Sequence, residues 1–317
     1  MSVRSIWITG ARGFIGAALS RARAVAGDVV HGLGHGEGTA PPDSGLSSWT
    51  PGELDAGMLD ELLRRTGRPE VIYHLAGGAS VRVAEADPES DFRRTVECSA
   101  RLLEWIAARA SGAPVVLISS AAVYGEAGTG MIAETTPARP VSVYGRHKAQ
   151  MEDLARDHAA RGGGPAAIAR LFSVHGPGLR KQLLWDLSMR LAGRPDVLRL
   201  GGGGQELRDW TAVSDVCAAL PVIASAAAAD CPTINVGRGL GVPVRRVAEL
   251  VMQAWGGDAR LEFTGVSPPG DPFSLVADPS RLVAMGCRCD VTIETGVAAY
   301  VAWSRHLLAG MAGPSAR

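Results

Sequence analysis

Tyr144 and Lys148 stand four residues apart in "VSVYGRHKAQ" (141–150), at the start of a stretch patterned as a helix, so both side chains fall on one helical face. Of the 32 lysines and arginines in the chain only Lys148 and Lys181 are lysine, so a lysine at this spacing asks for a reason. An ammonium beside a phenol favours the phenolate and draws its pKa down from about 10, toward the range where tyrosine works as a general acid or base. Twenty-four residues before Tyr144, "ISSAAVYG" closes an apolar run with Ser119 and Ser120. A hydroxyl at the carboxyl end of a buried strand can hydrogen-bond a substrate oxygen, and position alone leaves both serines as candidates.

A second constellation opens the chain. "TGARGFIG" (9–16) sets Gly10, Gly13 and Gly16 between an apolar run and a helical pattern. A tight turn, a close backbone approach to a pyrophosphate and close helix packing each need a residue without a side chain there. The helix that starts at Phe14 and Ile15 then offers free N–H groups to an anion. The acidic residue that would hold an adenosine ribose is expected at the end of the second strand, but "VVHGLGHGEG" (29–38) puts Gly34 and His35 there, with no acid before Glu37. A neutral or basic site leaves room for a 2′-phosphate, which the guanidinium of Arg12 could grip, so we read NADP(H) over NAD.

These groups need an alternating scaffold to meet. "RSIWITG" (4–10), "DVVHGLG" (28–34), "EVIYHLAGG" (70–78) and "APVVLISSAAVYG" (113–125) are apolar strands without polar alternation. Between them "FIGAALSRARAVAG" (14–27), "GMLDELLRRTG" (57–67) and "ESDFRRTVECSARLLEWIAARASG" (89–112) repeat at helical spacing, the last as one long amphipathic helix. The pattern predicts an α/β fold with a doubly wound parallel sheet covered on both faces. We assign residues 1–172 to this dinucleotide-binding unit, joined by about 212–236 because "CPTINVG" (231–237) reads as one more buried strand. Residues 173–317, richer in glycine and proline, form a smaller, partly discontinuous α/β substrate domain.

The whole chain sets bounds on function. Its 317 residues are 46% hydrophobic and 20% charged with a formal net charge of zero, which fits a globular protein and excludes a basic nucleic-acid footprint. No leader pattern is read at the N-terminus, and the most apolar stretch, "VCAALPVIASAAAAD" (216–230), is too short to span a bilayer. Five scattered cysteines fit neither a zinc site nor a disulfide framework, so no metal is assigned and a reducing cytoplasm is expected.

Together these motifs resemble the extended short-chain dehydrogenase/reductase family, of the nucleotide-sugar epimerase, dehydratase and 4-ketoreductase type, along nearly the whole chain. The resemblance implies a Rossmann fold with Ser120, Tyr144 and Lys148 as catalytic residues, Ser120 rather than Ser119 because it holds the family's place before "VYG". It implies adenine contacts from "GELD" (52–55), chiefly Glu53 and Leu54, and a cofactor wall from Leu75, Ala76 and Gly77 of "HLAGG". Tyr144 and Lys148 would also touch the cofactor, Lys148 through the ribose hydroxyls. Substrate contacts would come from Ser80, Ser120, Ser173 of "RLFSVHGPG" (170–178), Arg180 and Lys181 of "GLRKQLLWD" (178–186), and Arg208 of "GGGGQELRDWTAVSDV" (201–216).

Departures from the family pattern narrow the chemistry. Ala121 and Ala122 stand where dehydratases carry an Asp-Glu pair, which argues against water elimination. Ser173 replaces an asparagine, His175 a tyrosine, and Pro268 a diphosphate-binding arginine. The resulting expectation is NADPH-dependent reduction of the C4 carbonyl of a nucleoside-diphosphate 4-keto-(6-deoxy)sugar with Tyr144 as proton donor. Two alternatives are an NAD-dependent NDP-sugar 4-epimerase and a non-catalytic cofactor-binding subunit. The family also implies a homodimer through helices near 91–110 and 144–161, where Leu102, Leu103, Trp105 and Ile106 could serve as apolar surface, though core packing would use the same residues.

Overall fold

Strand β1 (Ser5–Thr9) sends Ile6 and Ile8 to one face and Trp7 to the other, all buried, which suits a strand covered on two sides. The computed structural model describes residues 4–266 and 272–311. After β1 come α1 (Phe14–Val25), β2 (Val29–Gly34), β3 (Ser48–Pro51), α2 (Ala56–Thr66) and β4 (Val71–His74). Short helices α3 (Val81–Ala86) and α4 (Pro88–Phe92) precede α5 (Cys98–Arg109), and β5 (Val115–Ser120), α6 (Val143–Ala160) and β6 (Ala166–Leu171) follow. Local chemistry marks the ends: Asp55 caps α2 by accepting from Met58 N, and Ser142 caps α6 by accepting from Gly145 N at 3.1 Å.

Chain order then runs β7 (Ser173–His175), α7 (Gln182–Ala192), β8 (Val197–Leu200), β9 (Leu207–Ala212), α8 (Val213–Ser225) and β10 (Thr233–Val236). It ends with β11 (Gly241–Pro243), α9 (Val244–Trp255), β12 (Arg260–Phe263), β13 (Ser274–Leu275), α10 (Ser280–Ala284) and α11 (Ile293–Met311).

Seven parallel strands make the main sheet in the order β10-β6-β5-β4-β1-β2-β3. The order reverses beside β1, so the loops after β1 and β4 part and leave a crevice at the carboxyl ends, where ligands of such sheets bind. Ile6 and Ile8 pack on one face with Leu19 of α1 and Val216 and Leu220 of α8. Trp7 packs on the other with Leu59 of α2, Ile106 of α5 and Met151 of α6. A smaller mixed sheet is centred on β9, which pairs antiparallel with β11 and parallel with β7 and β13, while β8 and β12 pair separately. Helices α7, α9 and α11 share an apolar core beneath them.

Two expectations change. The long helix at 89–112 is broken: Asp87 and Pro88 start α4, and Arg93–Glu97 make a π-helical turn before α5. That wider turn lets Thr95 Oγ1 accept from Gly78 N at 2.8 Å, a tertiary bond that periodicity does not encode. Leu102, Leu103, Trp105 and Ile106, offered as a dimer face, are all buried in the core, with Trp105 stacked 5.6 Å from Trp7. They leave no apolar surface for a partner.

Candidate active site

The carboxyl ends of the central strands open into a cleft of ≈ 1300 Å³. Gly10 has φ +66, and a Cβ there would lie 2.9 Å from the backbone of Leu75 and Ala76. A Cβ on Gly16 would collide with the Gly10 carbonyl oxygen, so the turn and α1 close tightly only with glycine. Gly13 caps α1 with extended backbone and no side-chain hydrogen bond, which leaves the first N–H groups of the helix, at Phe14 and Ile15, open to an anion. This cradle fits a dinucleotide pyrophosphate. Gly34, His35, Glu53, Leu54, Leu75, Ala76 and Gly77 line the same cleft.

Beneath the cradle a buried relay ties β1 to β4. Thr9 Oγ1 lies 2.8 Å from His74 Nδ1, His74 Nε2 lies 2.9 Å from Ser99 Oγ, and Ala76 N donates to Thr9 Oγ1 at 3.1 Å. Burial, aided by the positive charge of Lys148, pushes the His74 pKa down to about 3, so a neutral imidazole holds the cofactor wall.

Arg12 lines the cleft, but its guanidinium is engaged. It donates to Glu37 O at 2.8 Å and Thr39 O at 2.5 Å and lies 4.4 Å from the Trp49 ring centroid. A fork already committed to two carbonyls is a poor grip for a 2′-phosphate, and the argument for NADP from Arg12 weakens accordingly. Glu53 is the one carboxylate among the described lining residues, supplied by the loop after β3 rather than by the end of β2.

Ser120, Tyr144 and Lys148 meet at the mouth of β5, all three on the cleft wall. Ser120 ends the strand, accepts from Ala122 N at 3.2 Å, and its hydroxyl bears on the phenol of Tyr144 and favours the phenolate. Ser119 also borders the cleft, but its hydroxyl is committed to Glu152 Oε1, to which it donates at 2.6 Å, and this separates the two serines by role. Glu152 is also gripped by Arg170 at 2.6 and 2.8 Å and by Arg156 at 2.7 Å. Burial raises the Glu152 pKa, but the bonds and charge of Arg170 outweigh it and hold the carboxyl low.

Lys148 is 5% exposed and donates to Ile118 O at 2.9 Å. Its Nζ lies 5.8 Å from the Tyr144 ring centroid. The expectation that the ammonium lowers the phenol's pKa is not met in the protein alone. Burial drives Tyr144 up to about 12, against a smaller lowering by Ser120, and burial brings Lys148 down to about 8 against the raising field of Asp91.

Of the expected substrate residues, Ser80, Ser173, Lys181 and Arg208 line the cleft. Lys181 Nζ donates to Ala79 O at 3.2 Å, and Arg208 is buried with Nη1 on Leu207 O at 2.8 Å. Arg180 is exposed and off the cleft wall, because it precedes the turn that brings Lys181 inward. Pro268 lies outside the described residues. His175 is buried away from the cleft, edge-on to Trp210 with ring centroids 6.3 Å apart.

Sequence reasoning missed Trp49, Trp210, Arg82, Arg94 and Arg101, all on the cleft wall. Arg94, Cys98 and Arg101 share one helical face, a spacing that could have shown a basic stripe had the helix been read for charge. The chain is neutral overall, yet its cleft is basic and suited to diphosphates.

Residues 6–237 match the model of the NAD dependent epimerase/dehydratase family. The chain is 28% identical over 298 residues to a UDP-glucose 4-epimerase of Azospirillum brasilense, covering 87% of this chain and 84% of that one. It is 29% identical over 213 residues to a Bacillus subtilis protein described as an uncharacterized UDP-glucose epimerase, covering 67% of this chain and 66% of the other. Among solved structures, MoeE5 in complex with UDP-glucuronic acid and NAD is 30% identical, with a TM-score of 0.84 and coverage of 96% of this chain and 99% of that one. Both MoeE5 complexes hold NAD, which redirects the NADP reading.

Proposed function

This chain belongs to the NAD dependent epimerase/dehydratase family, and on that premise we propose that it inverts C4 of a nucleoside-diphosphate sugar with a firmly held NAD. The observation that carries the reading is the company Tyr144 keeps: Ser120 and Lys148 beside it in the cleft, with Ala121 and Ala122 next along the wall. Epimerisation needs one proton removed and returned at the same oxygen, which a single tyrosine can do. Elimination of water needs a further acid and base, and two methyl groups supply neither.

The cradle of Gly10, Gly13 and Gly16 would hold the pyrophosphate, with Leu75, Ala76 and Gly77 along one side of the dinucleotide. NAD held there would supply the hydride acceptor and donor that reversible oxidation at C4 requires. Tyr144 takes the C4 hydroxyl proton and later returns it. Ser120 hydrogen-bonds the same oxygen and steadies it while it is a carbonyl. Lys148 keeps its charge beside both the phenol and the ribose hydroxyls, a place for a compact ammonium rather than a planar fork. Arg208 and Lys181 face the diphosphate and sugar. The likeness to the 4-epimerases and to MoeE5, which is solved with UDP-sugars, supports a UDP-sugar substrate.

Two measurements test this. Denaturing the purified protein should release about one NAD per chain, and incubation with UDP-glucose or UDP-glucuronic acid should yield the C4 epimer by NMR without added cofactor. Release of no NAD, together with NADPH oxidation on an NDP-4-keto-6-deoxysugar, would replace the epimerase with a ketoreductase.

A further inference from the structure

Lys148 carries its charge in a place that should not favour it. Its ammonium is buried and, among the described residues, has one hydrogen-bond acceptor, a neutral carbonyl. A buried cation needs an opposite charge close by. Two carboxylates face it, Asp91 from α4 and Glu152 from its own helix α6. Glu152 is bracketed by the guanidiniums of Arg170 and Arg156, so its field at Lys148 is largely offset. Asp91 is 4% exposed and meets one imidazole, His147, whose Nδ1 donates to Oδ2 at 2.7 Å.

The wall between them is a pair of glycines. A Cβ on Gly77 would lie 3.4 Å from Lys148 Nζ, and a Cβ on Gly78 would strike Asp91 Oδ1. The carboxylate and the ammonium therefore flank one dipeptide, close to Tyr144 at the cleft surface. Phe92 packs edge-on against His147 with centroids 5.5 Å apart and fixes the imidazole's plane.

We propose that Asp91 and His147 form a positioning pair for the lysine, a buried carboxylate oriented by an imidazole that keeps Lys148 an ammonium at the pH of catalysis. The proposal rests on the reading of Lys148 as the catalytic lysine, but it concerns the charge of that lysine and is measured without turnover. The other ionisable groups around Lys148 are accounted for. His74 of β4 is neutral, Cys98 of α5 is held as a thiol by burial, and Lys181 opposes the charge. Glu85 of α3 is engaged by Val143 N, and Glu89 of α4 and Glu97 of the π turn are paired with Arg93 and Arg101.

A chain with two lysines makes the test direct. Protein labelled with ¹⁵N-lysine gives two side-chain signals, told apart with Lys181→Arg. In Asp91→Asn the titration midpoint of Lys148 should fall by about one pH unit or more, while that of Lys181 stays near its wild-type value. His147→Leu, which removes the donor, should move Lys148 in the same direction, and His147→Gln, which retains a donor, should restore most of the midpoint. A Lys148 midpoint that holds in folded Asp91→Asn overturns the proposal. If Asp91→Asn does not fold, an unmoved midpoint in His147→Leu does so. Absence of epimerase activity in the wild-type protein, with these titrations as expected, would instead count against the proposed reaction.

Discussion

Burial reverses the usual order of acidity at Tyr144 and Lys148. With the phenol at about 12 and the ammonium at about 8, the lysine loses its proton first as pH rises. Proton abstraction by Tyr144 needs the phenolate, whose share grows tenfold per pH unit below 12, while the ammonium declines by the same factor above 8. Their product climbs up to about pH 8 and then levels. We therefore expect log kcat/KM for epimerisation to rise with a slope near one below pH 8 and flatten above it. Tyr144→Phe should lower kcat by about 10²- to 10⁴-fold and abolish that slope, with bound NAD retained on denaturation. A wild-type profile flat from pH 6 to 8 would remove Tyr144 as the base. The lysine-tyrosine pair was legible in the sequence because four-residue spacing survives folding, whereas the sign of the phenol's shift was not, because burial is a tertiary quantity.

At the scale of elements, the strands were legible for a similar reason. β1, β4 and β5 are buried on both faces, so each stands in a mostly apolar run bounded by turn residues, whereas β6, which carries Arg170 within it, was not read as a strand. β3, β8 and β12 were missed, being four residues long and partly exposed, and the break before α5 depends on Thr95 meeting Gly78 from another loop. The glycine turn lies between these extremes: its spacing is local, and its need is tertiary. Because a Cβ on Gly16 meets the Gly10 carbonyl and lies 2.8 Å from Ala11 Cα, Gly16→Ala has no flexible neighbour to push aside and must lift α1 from β1. We expect purified Gly16→Ala to release little or no NAD and to lose about 1–3 kcal/mol of stability in urea unfolding. Wild-type NAD content in this variant would show that the turn is not the cofactor cradle.

Over the whole molecule, a neutral composition conceals local choices that the sequence could not price: cations gathered on the cleft wall, and imidazoles placed in the core. His74 and His175 are at most 1% exposed, the first satisfied by Thr9 and Ser99, the second with neither ring nitrogen hydrogen-bonded to protein. Burial lowers His74 to about 3 and, with the nearby charge of Arg238, His175 to about 4. In the unfolded chain both take a proton near pH 6.5. Between 6.5 and the folded values the unfolded state binds more protons, so stability is complete above 6.5 and is lost as pH falls toward 4 and 3. At pH 5 each imidazole should have withdrawn about 2 kcal/mol. His175→Leu keeps a similar volume against Gly296 and Trp210 and removes one of the two titrations. The difference in urea-unfolding free energy between pH 7 and pH 5 should then shrink by about 2 kcal/mol relative to wild type. An unchanged difference would mean that His175 already carries its proton in the folded protein at pH 5, and the neutral buried imidazole would have to be given up.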